Sequence, residues 1–259
     1  MTDRPVAAPA TARSLGSVNR EPGRSAIFGV VTLLNAVLRP VTKRDWRAQE
    51  KIPQTGGVVF VVNHISNADP LALGQFLAYS GRWPRFLAKA SLFGVPVLGR
   101  ILRACGQIPV QRQSGRSADA LQAAVQAVEQ GRAVVIYPEG TITRDPDLWP
   151  MAGKTGAARI ALQTGSPVIP IGQWGAHELM YGPQIHFPKL LPRKTLRMLV
   201  GDPVDLDDLR GQPVTAATLE AATDRIMDAI TGLVAELRQQ RPPDVRFVPP
   251  PTSAPDRPS

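Results

Sequence analysis

Five apolar residues in a row, Val58-Val59-Phe60-Val61-Val62, follow two glycines and run straight into a polar turn, Asn63-His64-Ile65-Ser66-Asn67-Ala68. Asp69-Pro70 then opens a new apolar stretch over 71–79. A strand with no polar alternation must be covered on both faces, so it belongs inside a sheet flanked by helices. Proline at the first helical position loses no hydrogen bond, and an aspartate before it can cap, so 69–70 reads as a helix start. His64 and Asp69 thus fall in the turn between the carboxyl end of a strand and the next helix, where open α/β sheets hold their ligands.

Their spacing of five matters. On one continuous helix, residues five apart point about 140° away from each other, so these two meet only if the chain bends. A carboxylate on one imidazole nitrogen fixes the tautomer and leaves the other nitrogen free as a base. The spacing alone also fits a loop histidine hydrogen-bonded to a helix-capping aspartate.

The formal net charge of +9 calls for an anionic partner: lipid head groups, nucleic acid or a phosphorylated substrate. Aromatic residues make up only 5%, too few for the stacking platforms that bind single-stranded nucleic acid. Cys105 is the single cysteine, which excludes an internal disulfide, and its apolar neighbours make it a packing residue. The 259 residues suit one large domain or at most two.

Residues 1–22 are rich in Pro, Ala, Arg and Ser without an apolar period and read as a disordered arm, with no secretory signal. Residues 24–39 leave almost no polar face, yet fall short of the roughly twenty apolar residues that cross a bilayer. Arg20, Arg24, Arg39, Lys43 and Arg44 flank them. A helix lying in a membrane interface and an ordinary buried helix both fit. Further strands are expected near 85–89, 106–112, 133–137, 167–171 and 196–200. Helices are expected over 117–129, 154–163 and 215–239, the last carrying Leu219, Ala222, Ile226, Ile230, Leu233 and Leu237 at spacings of three and four. The apolar stretch 91–105 reads as core or as a greasy basic rim. Residues 242–259 are Pro-rich and read as a disordered tail. Alternating strands and helices give an α/β fold.

Two tempting motifs fail. Gly153-Lys154-Thr155 looks like the end of a phosphate-binding P-loop, but Leu148 stands where its first glycine is required. No G-x-S-x-G serine elbow occurs, and His177 and His186 have no metal-like spacing to His64. No metal and no cofactor is expected.

Four strand-end blocks remain: Asn63-His64-Ile65-Ser66-Asn67-Ala68-Asp69, the segment 106–112, Tyr137-Pro138-Glu139-Gly140-Thr141, and Val168-Ile169-Pro170-Ile171. In this order they resemble the glycerolipid acyltransferase family, nearest in pattern to bacterial 1-acyl-sn-glycerol-3-phosphate acyltransferases, over about 26–237. The resemblance implies a single acyltransferase domain over 23–241, with a mostly parallel or mixed sheet flanked by helices. A membrane-associating helix at 23–41 would precede the sheet. It implies transfer of an acyl group from a CoA or acyl-carrier-protein thioester to the hydroxyl of lysophosphatidate. His64 would be the base, Asp69 its orienting partner, and Arg112, Glu139, Gly140 and Thr141 would hold the glycerol-phosphate end. One position departs from the pattern: where many members carry arginine after Glu-Gly-Thr, this chain has Ile142, leaving Arg144 or Lys154 to supply the cation. Another lysolipid acceptor, or a non-catalytic basic module on membranes or nucleic acid, are the alternatives. The enzyme reading expects no nucleic-acid partner, and an anionic membrane surface at the cytoplasmic face of the cell membrane, held peripherally or monotopically.

Overall fold

The computed structural model describes residues 14–21, 25–111, 117–180 and 188–250. At its centre is a seven-stranded mixed sheet in the order β1-β7-β6-β2-β5-β3-β4. The strands are β1 (Thr42–Arg47), β2 (Val58–Val62), β3 (Pro84–Lys89), β4 (Ile108–Val110), β5 (Ala133–Ile136), β6 (Val168–Trp174) and β7 (Lys194–Val200). β6, β2, β5, β3 and β4 are mutually parallel; β7 turns antiparallel to β6, and β1 pairs parallel to β7.

The apolar run of β2 behaves as its composition demands, with all five residues buried. Val59 and Val61 face one core layer, shared with helices α5 (Ser117–Glu129), α6 (Gly156–Thr164) and α7 (Ala216–Arg238). Val58, Phe60 and Val62 face the other, beneath α3 (Asp69–Tyr79). Gly57 is needed at the entrance: a β-carbon there would lie 2.0 Å from the carbonyl oxygen of Val128 at the end of α5.

β1 had no expectation behind it. Its sequence, Thr-Lys-Arg-Asp-Trp-Arg, is charged because it is an edge strand, paired only with β7. This also removes Arg44 from the expected basic flank: its guanidinium is half-buried, stacked over Trp46 and bonded to Asn35, and burial lowers its pKa.

The disordered arm expected over 1–22 is corrected where it can be seen. Leu15–Val18 forms a short helix, α1, and Leu15 joins a small core with Ile27, Val31, Ala78, Trp83 and Cys105. Glu21 is the anchor. Its Oε2 accepts from the Trp83 amide at 2.7 Å and from Arg82 Nε at 3.3 Å, while its carbonyl accepts from the Trp83 indole at 2.8 Å. Arg82 is fully buried and also donates to the carbonyls of Pro53, Gly56 and Gly131. The tail expected beyond 242 is likewise held in its first part. Phe247 accepts from the Ala152 amide at 2.9 Å, and Arg246 pairs with Asp224 and Asp228.

The apolar N-terminal segment is the helix α2 (Ser25–Val41), which buries Ile27 and Val31. Among the described residues no helix is long and apolar enough to cross a membrane. Removing one partner of a buried ion pair leaves the other uncompensated, so Glu21→Ala should lower stability by about 3 kcal/mol. Urea unfolding of the full chain measures this, and an unchanged midpoint would mean that residues 14–21 contribute nothing.

Candidate active site

The polar turns after β2 and β5 meet at the carboxyl edge of the sheet, because the two strands are hydrogen-bonded neighbours. Beyond Val62 the chain stops pairing as a strand, yet its alignment with β6 continues through side chains. Asn63 Nδ2 donates to the Gln173 carbonyl at 3.0 Å, and the Gln173 amide donates to Asn63 Oδ1 at 2.9 Å. Gln173 Nε2 returns a bond to the Asn63 carbonyl at 2.6 Å. This reciprocal pair seats the residue immediately before His64.

Asp69 begins α3 without capping it. Its carboxylate turns back, and one oxygen, Oδ2, takes the Ile65 amide at 2.6 Å, the Ser66 amide at 2.8 Å and His64 Nδ1 at 2.9 Å. The expected cap is replaced by a turn that the aspartate closes on itself, and that closure brings residues five apart into contact. Asp69 is fully buried, whereas the His64 side chain keeps 14% exposure. With Nδ1 engaged by the carboxylate, Nε2 is the nitrogen left to reach a substrate.

His64 is held on its other sides by the turn after β5. Its ring stacks on Tyr137, centroids 4.2 Å apart, and its carbonyl accepts from the Thr143 amide at 2.7 Å. The His64 amide donates to Glu139 Oε1 at 2.8 Å, while Glu139 Oε2 accepts from the Met151 amide at 3.0 Å. Glu139 is 2% exposed, and burial pushes its carboxyl up to about 8 against the pull of those two amides. Burial also drives the Tyr137 phenol well above its ordinary value.

The remaining expected residues divide. Gly140 adopts a left-handed φ of 72°, which glycine takes without strain. Lys154 is drawn to the same turn: its amide donates to the Pro138 carbonyl at 2.8 Å, and its side chain lies across Gly140. A β-carbon on Gly140 would sit 3.1 Å from Lys154 Cδ, Cε and Nζ. Thr141 is half-buried in the turn and Arg144 is exposed beyond it. Arg112 lies outside the described residues, as do Arg24 and His186. The brace formed by Asn63 and Gln173 had no expectation behind it; a polar residue at the end of each of two adjacent buried strands was its only signal. Lys89 ends β3, as expected for a strand near 85–89, and pairs with Val110 of β4.

The unfolded chain titrates Glu139 near its ordinary value of about 4.3. Between there and about 8 the folded chain keeps a proton that the unfolded chain has released. Stability from this group therefore falls as pH rises through that window. His177 works in the opposite sense, since burial lowers its pKa and the folded chain gains as pH rises through the ordinary histidine range. Comparing wild type with Glu139→Gln isolates the first effect. In urea unfolding from pH 5 to 8, wild-type stability minus that of the variant should decline, by at most about 1.4 kcal/mol per pH unit. A flat difference would mean that Glu139 is ionised throughout.

A sequence profile of the Acyltransferase family matches residues 43–174. The chloroplast 1-acyl-sn-glycerol-3-phosphate acyltransferase BAT2 of Brassica napus is 36% identical over 146 residues, which are 54% of this chain and 40% of that protein. The 1-acyl-sn-glycerol-3-phosphate acyltransferase of Borreliella burgdorferi is 36% identical over 124 residues, 47% of each chain. The match thus spans less than half the length of either relative. The crystal structure of the 1-acyl-sn-glycerophosphate acyltransferase PlsC from Thermotoga maritima shares the fold, with a TM-score of 0.62 at 20% identity, over 84% of this chain and 81% of that one. The family profile runs from β1 to the end of β6, just over half of the 259 residues, and takes in both turns that enclose His64. The chain belongs to the Acyltransferase family.

Proposed function

We propose that this chain transfers a fatty acyl group from a thioester, on CoA or acyl carrier protein, to the free hydroxyl of lysophosphatidate, giving phosphatidate. The observation that carries the reading is the 2.9 Å contact between His64 Nδ1 and a fully buried Asp69, which leaves Nε2 as a base at a solvent-reaching edge. In this reaction Nε2 takes the hydroxyl proton as the oxygen attacks the thioester carbonyl. The tetrahedral adduct collapses, the C–S bond breaks, and the proton passes from His64 to the departing sulfur. A thioester is already activated, so the pair needs no covalent enzyme intermediate. Holding both substrates in attack geometry supplies much of the remaining acceleration.

The acceptor phosphate would be met by Arg112, Lys154 and Arg144, with Gly140 and Thr141 forming the wall of the turn. Lys154 is the best supported of the cations, since its ammonium rests over Gly140, one residue from the carboxyl that holds His64. Ile142, at the position where many members carry arginine, favours a second reading: an acceptor lysolipid without a phosphomonoester. An acceptor panel with one acyl-CoA, read by mass spectrometry, decides between them. Phosphatidate from lysophosphatidate supports the first reading; acylation only of phosphate-free lysolipids replaces it.

Three variants test the chemistry. His64→Ala should lower kcat by about a hundredfold to ten-thousandfold, the usual worth of a positioned base. Asp69→Asn should cost less, because an amide oxygen can still accept from the three donors that Oδ2 serves. Lys154→Ala should raise the acceptor KM about tenfold or more, as expected for a lost charge-assisted hydrogen bond, and leave the acyl-donor KM unchanged. Full turnover by His64→Ala protein would remove the mechanism.

A membrane surface is the proposed workplace, since the acceptor is a lipid. Support comes from α2, which turns Phe28, Leu33 and Val37 outward, Leu33 at 67% exposure. Helix α4 (Leu98–Ala104) lies against α2 and exposes Leu98 and Ile101, just after exposed Val95 and Val97. Exposed Arg39, Lys43, Arg100 and Arg103 rim this region, each worth about 1 kcal/mol near an anionic surface. Deleting residues 1–40 would strip Leu15, Ile27 and Val31 from the core, so substitution is the cleaner test. Phe28→Ser with Leu33→Ser should reduce flotation with anionic liposomes at low and at high salt. Undiminished flotation would move the contact to 93–102.

A further inference from the structure

We propose that Glu139 is a positioning residue of the active site rather than a ligand for the acceptor: its carboxyl group ties the main chain at His64 to the loop at Met151. This rests on the reading of His64 as the base and adds the group that sets its place. The family resemblance puts Glu139 among the residues holding the glycerol-phosphate end, and three observations argue otherwise. Both of its oxygens are turned to the protein's own backbone, Oε1 to the His64 amide at 2.8 Å and Oε2 to the Met151 amide at 3.0 Å. At 2% exposure it has no face to offer a substrate, so a substrate hydroxyl could reach it only if the packed turn around it opened. A carboxylate also presents acceptors, whereas a phosphate is bound by donors.

The same geometry gives the group its task. The side chain of His64 is aimed by Asp69 and its ring face is backed by Tyr137. Neither contact fixes the height of its backbone above the sheet. That is fixed on the carbonyl side by the Thr143 amide and on the amide side by Glu139. Glu139 reaches farther, because Met151 lies at the far end of the loop that follows Thr143. That loop is held in turn by the C-terminal segment, through the bond from the Ala152 amide to the Phe247 carbonyl. The brace therefore runs from Phe247 through the loop and Glu139 to the nitrogen atom of His64.

Two variants of the full chain test this. Glutamine has the size of glutamate but only one acceptor oxygen, so its NH2 group would face either the His64 or the Met151 amide. Aspartate keeps both oxygens but is one carbon too short to span the two amides. Steady-state kinetics with lysophosphatidate and one acyl-CoA should show kcat reduced tenfold or more in both, with the acceptor KM within about twofold of wild type. Circular dichroism and thermal melting check the fold, and should Glu139→Gln not fold, the ratio is read from Glu139→Asp. An acceptor KM that rises while kcat holds would make Glu139 a substrate ligand, and wild-type kcat in Glu139→Gln would make the brace irrelevant; either result overturns the proposal. A wild-type protein that ignores lysophosphatidate but acylates another lysolipid sinks the acceptor reading alone, and the same kcat-to-KM comparison is then made on that lysolipid. Wild type inactive on every acceptor overturns both.

Discussion

A single buried oxygen, Oδ2 of Asp69, organises the site. It accepts from two consecutive backbone amides and from the imidazole of His64, all within 2.9 Å. A carboxyl group with no solvent exposure is costly unless donors meet it, and here the turn supplies three to Oδ2, while Oδ1 is buried without a partner. The turn therefore cannot open without stranding a buried polar group. Orientation of the His64 ring and stability of the strand-to-helix connection are one interaction. A helix cap at Asp69 would have stabilised α3 and left His64 free to rotate.

The sheet explains why two distant segments complete this turn. β2 is central, with β5 on one side and β6 on the other, so whatever follows each of the three strands is delivered to one edge. From β6 comes the Gln173 amide pair that seats Asn63; from β5 come Tyr137 against the ring and Glu139 on the amide of His64. β7 and β1, which run against the parallel set, extend the sheet on the far side of β6. The reversal marks a division: the parallel strands deliver the turns around His64, and the reversed pair carries α2, which enters β1 directly.

What could be read from the sequence follows from which physical signals are local. The β2 run is unambiguous because an uninterrupted apolar pentad has only one comfortable environment, and α7 is plain because its stripe is long and periodic. The acyltransferase blocks are legible because they sit at strand ends, where sequence and geometry are tightly linked. β1 was hidden because an edge strand need not alternate, and its charges resemble a basic flank. The roles of Glu21 and Phe247 were hidden for a different reason. Both act through partners far along the chain, Arg82 and Ala152, and Phe247 does so with a backbone carbonyl that carries no sequence signature. Composition predicted disorder for both ends because it counts apolar side chains, and neither anchor depends on one.

Glu139 shows the same limit inside the site. A glutamate in a strand-end motif beside a presumed phosphate pocket invites a binding role, because charged residues in turns are commonly exposed. Here burial decides instead. Burial pushes its carboxyl up to about 8, against the pull of the Met151 and His64 amides. One carboxyl beside His64 orients its ring, and the other carries position. Asp69 gathers three donors on one oxygen, whereas Glu139, deeply buried, takes the His64 amide on one oxygen and the Met151 amide on the other. The family motif specifies both residues, but only the packing around each distinguishes the partner of the His64 ring from the partner of its backbone amide.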